Sequence, residues 1–339
     1  MTFFDESRLD DEVILAVADV RLRALAESGA RVRRAALAER ATGRLDDSPR
    51  TIVAAGPDSR LLRAVLEPTC PVPFVAWPNA GLPGWVGSLD LIVVLAAGGD
   101  DPQTASAVAE ARRRGAHVLV ATRAGSLVAQ HAIGRDTTLL EVEAPDQLAL
   151  AVLALNVLGA YGLGPVTEPE DVAVALDDVA IACSPSRGLT TNPAKELAIA
   201  HADTTPLVWG GSVPIARAAR RIAESLRRAT GRTALAGSAD QLIPLLERAP
   251  LRDVFADPFD GDGGETRPSL MILDEPDPEP LTVSDRNRLV QIADARGVRV
   301  DVVSLPEAAA SRTSLAHYAA LVLQGAYVAE YLGLGLVEG

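Results

Sequence analysis

Lysine is almost missing from this sequence of 339 residues: Lys195 is the only lysine among its 32 basic residues. Cysteine is scarce as well, and Cys70 and Cys183 show neither a CxxC pair nor metal-site spacing with histidine. That scarcity argues against a disulfide framework and a structural zinc site, so both thiols are predicted to be small buried residues. Aromatic residues make up only 4% of the chain, so its cores must be built from Val, Leu, Ala and Ile.

Long apolar runs and basic patches are absent too. No apolar stretch reaches the roughly 18 residues of a membrane span, and Asp5 and Glu6 lie where a signal peptide would be basic and then apolar. The net charge of −13 opposes binding to nucleic acid and to anionic membranes, because both require a positive field. We therefore expect a soluble cytoplasmic protein with no nucleic-acid or membrane partner.

Apolar runs and helical patterns alternate along the chain. After a helical pattern at 7–41, strands are predicted at 51–56, 72–77, 89–97, 116–121, 137–142, 206–209, 233–236, 269–273 and 298–303. Helices are predicted at 101–114, 125–133, 146–161, 214–229, 239–248, 282–296 and 307–332. Apolar strands separated by helices indicate parallel βαβ units, so the fold class is α/β with two sandwiches of similar size.

Lys195 stands out because a coding bias that removed the other lysines should also have replaced this one by arginine. Its retention indicates a need for a compact ammonium group. Two roles stay open: a surface or interface lysine that pairs with a carboxylate such as Glu196, or a cation that faces a ligand. Pro193, two residues earlier, is typical of a first helical turn.

Two segments around this lysine carry a family resemblance. Asn192-Pro193-Ala194-Lys195-Glu196-Leu197-Ala198 and Thr205-Pro206-Leu207-Val208-Trp209-Gly210 resemble the start of the second domain of bifunctional phosphoglucose/phosphomannose isomerases. The strand 89–97 and the segments 110–116 and 121–127 resemble that family's first domain, in the same order.

The resemblance implies two tandem three-layer αβα sandwiches of the sugar isomerase (SIS) fold with parallel sheets. Their expected limits are 1–165 and 166–339, and the second includes a helical connector at 166–202. The family also implies a homodimer, for which the apolar helix 315–332 is the expected contact surface.

In that family a glutamate moves a proton between C1 and C2 of a hexose 6-phosphate and a histidine helps to open the ring. Hydroxyls and backbone amides hold the phosphate. Here the turn that should read Ser-Gly-Asn-Thr-Glu-Glu is Ala97-Gly98-Gly99-Asp100-Asp101-Pro102 and keeps only Gly98. Asp100 replaces the phosphate-binding threonine, and a like charge at ~4 Å costs about 1 to 4 kcal/mol. We expect poor phosphate binding there.

Other turns supply the remaining candidate ligand contacts. Trp209-Gly210-Gly211-Ser212 follows a strand, opens a helix and contains no carboxylate, so it is the least altered candidate anion site. The first strand-to-helix turn is a weaker candidate, because its Asp58 is a typical helix N-cap. The candidate ligand-binding residues are Gly56, Ser59, Arg60, Gly98, Lys195, Gly210, Gly211 and Ser212.

The family's catalytic segment Asn-His-Asn-Glu corresponds to 252–257, which contains neither histidine nor glutamate, and its second histidine is missing from 274–280. Replacement groups would be Glu265 or Asp257 as the base and His317 or His201 as the ring-opening acid, since a base needs only reach and a suitable pKa. The remaining histidines, His117 and His131, are predicted to be structural.

The acidic tract that contains Asp257 and Glu265 lacks the alternating ligands of a calcium loop, so we predict no metal and no cofactor. The predicted function is that of a binding protein for a carbohydrate derivative, related to sugar phosphates, with weak or lost isomerase activity. Two alternatives stay open. One is a working isomerase that interconverts glucose 6-phosphate or mannose 6-phosphate with fructose 6-phosphate, and the other is a dimerisation partner without a ligand.

Overall fold

A computed structural model of the chain describes residues 2–38, 45, 48–56, 59–143, 146–250, 267–306 and 313–338. The chain divides into two compact units, one formed by residues 28–174 and the other by 1–27 together with 175–339. The SIS limits given above, 1–165 and 166–339, stay predictions.

The described residues form strands and helices in alternation. The strands are β1 (Thr2–Phe4), β2 (Thr51–Ala55), β3 (Phe74–Trp77), β4 (Asp90–Ala96), β5 (His117–Arg123), β6 (Thr137–Val142), β7 (Thr205–Trp209), β8 (Leu235–Ala236), β9 (Pro268–Leu273), β10 (Val300–Val303) and β11 (Leu336–Glu338). The α-helices are α1 (Glu12–Ala26), α2 (Ser28–Ala38), α3 (Ser59–Thr69), α4 (Pro102–Arg113), α5 (Leu127–Ala132), α6 (Gln147–Ala160), α7 (Pro169–Ala182), α8 (Pro193–Ala200), α9 (Val213–Thr230), α10 (Ala239–Glu247), α11 (Pro280–Ala295) and α12 (Ser314–Gly335).

The unit of residues 28–174 is built on a five-stranded sheet in the order β3-β2-β4-β5-β6. All four neighbouring pairs are parallel. β2 and β4 are buried along their whole length, which explains why their sequences are apolar after Thr51 and Asp90 at their first positions. Val94 of β4 and Val118 and Val120 of β5 join Ala105 and Val108 of α4 in one core.

The unit that combines 1–27 with 175–339 is built on a four-stranded parallel sheet in the order β10-β9-β7-β8. Leu207 of β7 and Leu270 of β9 pack with Leu242 of α10 and Leu289 of α11. The ends of the unit meet in a small antiparallel sheet, in which β1 pairs with β11. The predicted α/β class with two parallel sheets is confirmed.

α12 is the buried central helix of this unit. It contacts α8, α9 and α1, and both Tyr327 and Tyr331 are fully buried. A Cβ atom at Gly325 would lie 2.3 Å from Cγ1 of Ile222, so the glycine allows α12 to approach α9 closely. The prediction that 315–332 supplies a dimer surface is wrong, because the helix packs inside its own unit.

Two local predictions also differ from the structure. The helical pattern at 7–41 is divided into a 3-10 turn at Glu6–Leu9 and the helices α1 and α2, which are interrupted at Glu27. The strand predicted at 233–236 is reduced to two residues that pair with β7 at the edge of the sheet. No local sequence pattern predicts the pairing of β1 with β11. Among the described helices, none combines the length and apolar character needed to cross a membrane.

Candidate functional site

The turn between β7 and α9 needs both of its glycines. A Cβ atom at Gly210 would lie 2.5 Å from the carbonyl oxygen of Ile215, and one at Gly211 would lie 2.0 Å from Cγ2 of Thr282. Contacts this short require a shift of the chain, so the glycine pair that the sequence singled out is a packing requirement of the turn. The turn lies at the carboxyl end of β7, the edge at which open α/β sheets bind ligands.

A carboxylate of the chain already occupies this turn. The amide of Ser212 donates a hydrogen bond to Oε2 of Glu275 at 3.1 Å. Ser212 is the N-cap of α9, yet its own side chain makes no cap hydrogen bond. The sequence indicated a turn free of carboxylates, but Glu275 reaches it from the loop after β9, 63 residues further along the chain.

His317 lies beside the same loop. Its Nε2 is 3.0 Å from the carbonyl oxygen of Asp274, the residue that follows β9. A carbonyl only accepts, so Nε2 carries the hydrogen and, in the neutral ring, Nδ1 is an acceptor. Nδ1 is buried and has no hydrogen-bond partner among the described residues. Arg286 lies 4.0 Å from Oδ1 of Asp274 and places a cation at this edge.

His201 lies at the opposite end of β9. It follows α8, and its Nδ1 is 2.7 Å from Oγ of Ser269, near the start of β9. Oγ of Ser269 is in turn 2.6 Å from Oγ1 of Thr204, and Nε2 of His201 is 3.5 Å from Oδ2 of Asp301.

Burial lowers the pKa of His201 to about 4, although the charge of Asp301 opposes the shift. The imidazole is therefore neutral at pH 7 and held by internal partners. The structure does not bring His201 and His317 together, because they lie at the two ends of one strand.

Lys195 is fully buried and uses all three of its donors inside the unit. Its Nζ donates to Oδ1 of Asp10 at 2.6 Å, to the carbonyl oxygen of Pro185 at 2.9 Å and to that of Arg187 at 2.8 Å. The ammonium also lies 5.4 Å from the ring centroid of Tyr331. A compact ammonium suits a site closed by two carbonyls and a carboxylate better than a planar guanidinium does.

Neither role expected for Lys195 agrees with these contacts. A surface lysine paired with Glu196 is wrong, because Glu196 is exposed and the carboxylate partner is Asp10. Asn192, the N-cap of α8, also has a structural role. Its side chain accepts from the amides of Ala194 and Lys195 and donates to the carbonyl of Ser184.

In the unit of residues 28–174, the turn after β4 also has a carboxylate of the chain at a helix N-terminus. Asp101 caps α4, accepting from the amide of Thr104 at 2.9 Å, from its hydroxyl at 2.5 Å and from the amide of Gln103 at 3.3 Å. The Thr104 hydroxyl and amide lower the pKa of Asp101, which keeps the carboxylate ionised. Asp100 is exposed and pairs with Arg123, so its charge is partly offset. Gly98 is open, with nothing within 4 Å of a Cβ atom placed there.

Gly56, Ser59 and Arg60 are the described candidates beside the first strand-to-helix turn. Gly56 has a φ of +90°, Ser59 begins α3 and is buried, and Arg60 is exposed. Oγ of Ser59 has no hydrogen-bond partner among the described residues. A cavity of about 30 Å³ between Gly56 and Thr104 is large enough for a water molecule but too small for a hexose.

The remaining catalytic candidates, Asp257 and Glu265, lie outside the described residues, as does Asp58. Within the part of the chain that the structure describes, no three His, Cys, Asp or Glu side chains form a group that could hold a metal ion. A groove of about 770 Å³ runs along α8 and the edge strand β10, lined by Glu196, Arg299 and Gln324 among others. None of the predicted site residues lines it.

Comparison with known proteins identifies the second half of the chain. Residues 190–336 match the family model of the bacterial phospho-glucose isomerase C-terminal SIS domain. This match confirms, for residues 190–336, the resemblance noted in the sequence. A search of curated protein sequences found no match.

Solved structures extend the likeness to nearly the whole chain. The C-terminal domain of glucosamine-fructose-6-phosphate aminotransferase from Francisella tularensis matches at 14% identity and a TM-score of 0.61, over 92% of this chain and 95% of that one. Tagatose-6-phosphate ketose/aldose isomerase from Escherichia coli matches at 15% identity and 0.58, over 97% and 91%. A glucose-6-phosphate isomerase like protein from Thermus thermophilus matches at 19% identity and 0.50, over 96% and 92%. At these identities the likeness establishes the fold.

Proposed function

We propose that this divergent SIS protein binds a carbohydrate derivative through its hydroxyl groups and has lost most phosphate-dependent isomerisation. The observation that carries the proposal is that each unit places a carboxylate of its own on a helix N-terminus where a phosphate would sit. Asp101 accepts from the first-turn amides of α4, and Glu275 accepts from the amide of Ser212 at α9. Helix N-termini favour anions, and these two already have one.

The groups around the turn of β7 suit a ligand rich in hydroxyls. Asp274 and Glu275 offer carboxylate oxygens as acceptors, and Arg286 offers donors. The same carboxylates repel a phosphate dianion. We place the candidate site at Gly210, Gly211, Ser212 and the loop 274–275, with His317 beside it.

The proposed loss of catalysis rests on the two candidate histidines, His201 and His317. His201 is buried and neutral at the amino end of the sheet, and His317 is engaged with a backbone carbonyl. A ring-opening acid must deliver a proton to the sugar, and neither imidazole is exposed.

Two measurements test the proposal. Thermal melts with glucose and glucose 6-phosphate, fructose and fructose 6-phosphate, and glucosamine and its 6-phosphate compare each sugar with its phosphorylated form. A ligand that binds only the native state raises the melting temperature, so we expect at least one free sugar to stabilise as well as its phosphate does. The proposal is overturned if only phosphorylated sugars stabilise, or if glucose or mannose 6-phosphate is converted rapidly to fructose 6-phosphate.

The same melts also test the alternative that the protein is a dimerisation partner without a ligand. That alternative predicts no shift in melting temperature with any sugar.

A further inference from the structure

The strand β10 lies at one edge of its sheet. Among the described strands only β9 pairs with it, in parallel. The amide of Leu270 donates to the carbonyl oxygen of Arg299 at 2.8 Å, and the amide of Asp274 donates to that of Val303 at 3.1 Å. In a parallel ladder, alternate residues of a strand direct their backbone groups to the same neighbour. The odd-numbered residues of β10 therefore face β9.

The even-numbered residues present the outer edge of β10. The carbonyl oxygen of Ser304 accepts from Nε2 of Gln324 at 3.3 Å, so the chain itself pairs the carboxyl end of this edge. By the same alternation, the amide and carbonyl of Val302 point away from β9, and its side chain is 40% exposed. Amide and carbonyl groups at the edge of a sheet are a template for a further strand.

The groove of about 770 Å³ described above runs beside this edge. Leu189, Pro193 and Ile199 line it and are only partly buried, so they offer apolar surface. Neighbouring strands of a sheet lie about 4.8 Å apart. A strand added to β10 would therefore lie in the groove, beside α8.

The groove is acidic. Among its described lining residues, three carboxylates accompany one guanidinium. That guanidinium, on Arg299, is already paired with Asp301 at 2.7 Å and 3.1 Å. Glu6 and Glu196 are the other two acids, and both are exposed. The groove therefore attracts positive charge.

We propose that the outer edge of β10 binds an extended, basic segment of a partner protein, which adds a strand to the sheet. The amide and carbonyl of Val302 pair with the backbone of the segment. Leu189 and Ile199 contact its apolar side chains, and Glu6 and Glu196 attract its basic ones. In strand addition, backbone pairing supplies affinity and side-chain contacts supply specificity. The inference goes beyond sugar binding and uses no group assigned to the sugar.

Two features select this occupant. The outward backbone groups of Val302 favour an extended chain, because only an extended chain offers matching donors and acceptors along a strand. The charge of the groove selects a basic segment. A second copy of the same edge would bring its own Glu6 and Glu196, and like charges oppose that pairing.

Fluorescence anisotropy of the full chain with a labelled six-residue peptide tests the proposal. The peptide alternates valine and arginine, so it is basic and favours an extended conformation. We expect a dissociation constant on the order of tens of micromolar for so short a segment. The corresponding peptide of valine and glutamate should not bind through the millimolar range, because its charge matches that of the groove.

Two methylated forms of the basic peptide separate backbone pairing from charge. One carries N-methyl groups on its odd amides and the other on its even amides, so both keep the arginines. Only alternate amides of an added strand face β10. One form should therefore bind at least tenfold more weakly than the parent peptide, and the other should bind less weakly than that.

Val302→Pro tests the position of the added strand. Proline removes the outward amide and is tolerated on an edge strand where that amide does not pair within the sheet. We expect binding to weaken by at least tenfold. Val302→Ala keeps the amide and loses only side-chain contact, so binding should weaken by about threefold. Circular dichroism verifies that both variants are folded, and the methylated peptides test the pairing without any substitution.

Glu196→Gln tests the charge of the groove and should weaken binding by about threefold. Glu247→Gln is the matched control, because Glu247 is exposed on α10 and does not line the groove. It should bind the peptide as the wild type does.

Four results would overturn the proposal. They are no binding of the basic peptide through the millimolar range, equal binding of the parent and both methylated peptides, equal binding by Val302→Pro and Val302→Ala, and an equal loss in Glu196→Gln and Glu247→Gln. The last would mean that net charge alone attracts the peptide.

Discussion

Glu275 accepts a hydrogen bond from the amide of Ser212 at 3.1 Å, so a carboxylate from the loop after β9 lies on the N-terminus of α9. The free amides and the dipole of a helix favour an anion at this end. The chain supplies that anion itself. A phosphate at the turn must displace Glu275 or approach its charge.

Glu275→Gln should therefore raise the affinity for phosphate. The amide oxygen of glutamine can still accept from Ser212, while the negative charge is gone. Removing a like charge at ~4 Å corresponds to about tenfold or more in affinity. Isothermal titration with inorganic phosphate and with glucose 6-phosphate measures the gain.

Glu279→Gln is the control for that gain, because it removes the same charge nearby. Glu279 is exposed at the N-cap of α11, and its side chain makes no cap hydrogen bond. Equal phosphate affinity in the two variants would show that net charge alone, and not the Ser212 contact, limits binding.

The two occupied helix ends differ in how far sequence could predict them. Asp101 precedes a proline at the start of α4, and an acid in that position is a common N-cap, so local sequence carries the signal. Glu275 lies 63 residues from the turn it fills, and no spacing rule connects the two. Asp10, the partner of Lys195, is separated by 185 residues and was missed for the same reason.

Lys195→Met should destabilise the protein strongly. The substitution removes the donor shared by Asp10 and the carbonyls of Pro185 and Arg187. Two carbonyls that lose a buried donor, together with the lost pairing to the half-exposed Asp10, cost about 2 to 3 kcal/mol in the free energy of unfolding. Urea denaturation measures the loss. Lys195→Arg should also destabilise, because the planar guanidinium does not fit a site closed on three sides.

Arg288→Met is the control for Lys195→Met, because it removes a positive charge from an exposed ion pair instead of a buried site. Arg288 is 57% exposed and lies 3.6 Å from Asp240, an exposed partner. An exposed ion pair contributes about 0 to 1 kcal/mol. If the two methionine variants lost similar stability, the closed arrangement around Lys195 would not be the cause.

The fold was easier to predict than the site, and the strands show why. β4 and β9 are buried along almost their whole length, so apart from Asp90 and Ser269 near their amino ends their residues are apolar, and the pattern is visible locally. β1 and β11 are three residues each and pair across the whole length of the chain. Local periodicity carries no information on such a contact. The interruption at Glu27 is hidden too, because the apolar spacing continues through it.

Substitution by alanine should change the free energy of unfolding by different amounts at three glycines. Gly210→Ala and Gly211→Ala place a methyl group against the carbonyl oxygen of Ile215 or the side chain of Thr282, at 2.5 Å and 2.0 Å. Such overpacking costs about 1 to 3 kcal/mol. Gly98→Ala meets nothing within 4 Å and should stay within about 0.5 kcal/mol of the wild type.

Urea denaturation of the three alanine variants measures the difference. Gly98 is the matched control, since it also lies in a strand-to-helix turn and its φ is not positive. Tolerance of alanine at Gly210 would mean that the β7–α9 turn can relax, and its tight geometry would no longer explain the glycine pair.

His201 should make stability fall as the pH is lowered from about 6.5 to about 4. Burial lowers its pKa in the folded protein to about 4 from 6.5, so in this window the unfolded chain binds a proton that the folded one does not. The stability contribution of the neutral imidazole is complete above pH 6.5. It is lost as the pH falls, at about 1.4 kcal/mol per pH unit.

Urea denaturation across this range should show the slope in the wild type and in His131→Gln, whose histidine is exposed. His201→Gln should lack it, although its stability at pH 7 is lower because Ser269 loses one of its two partners. An unchanged slope in His201→Gln would mean that carboxylates, and not this imidazole, cause the acid sensitivity.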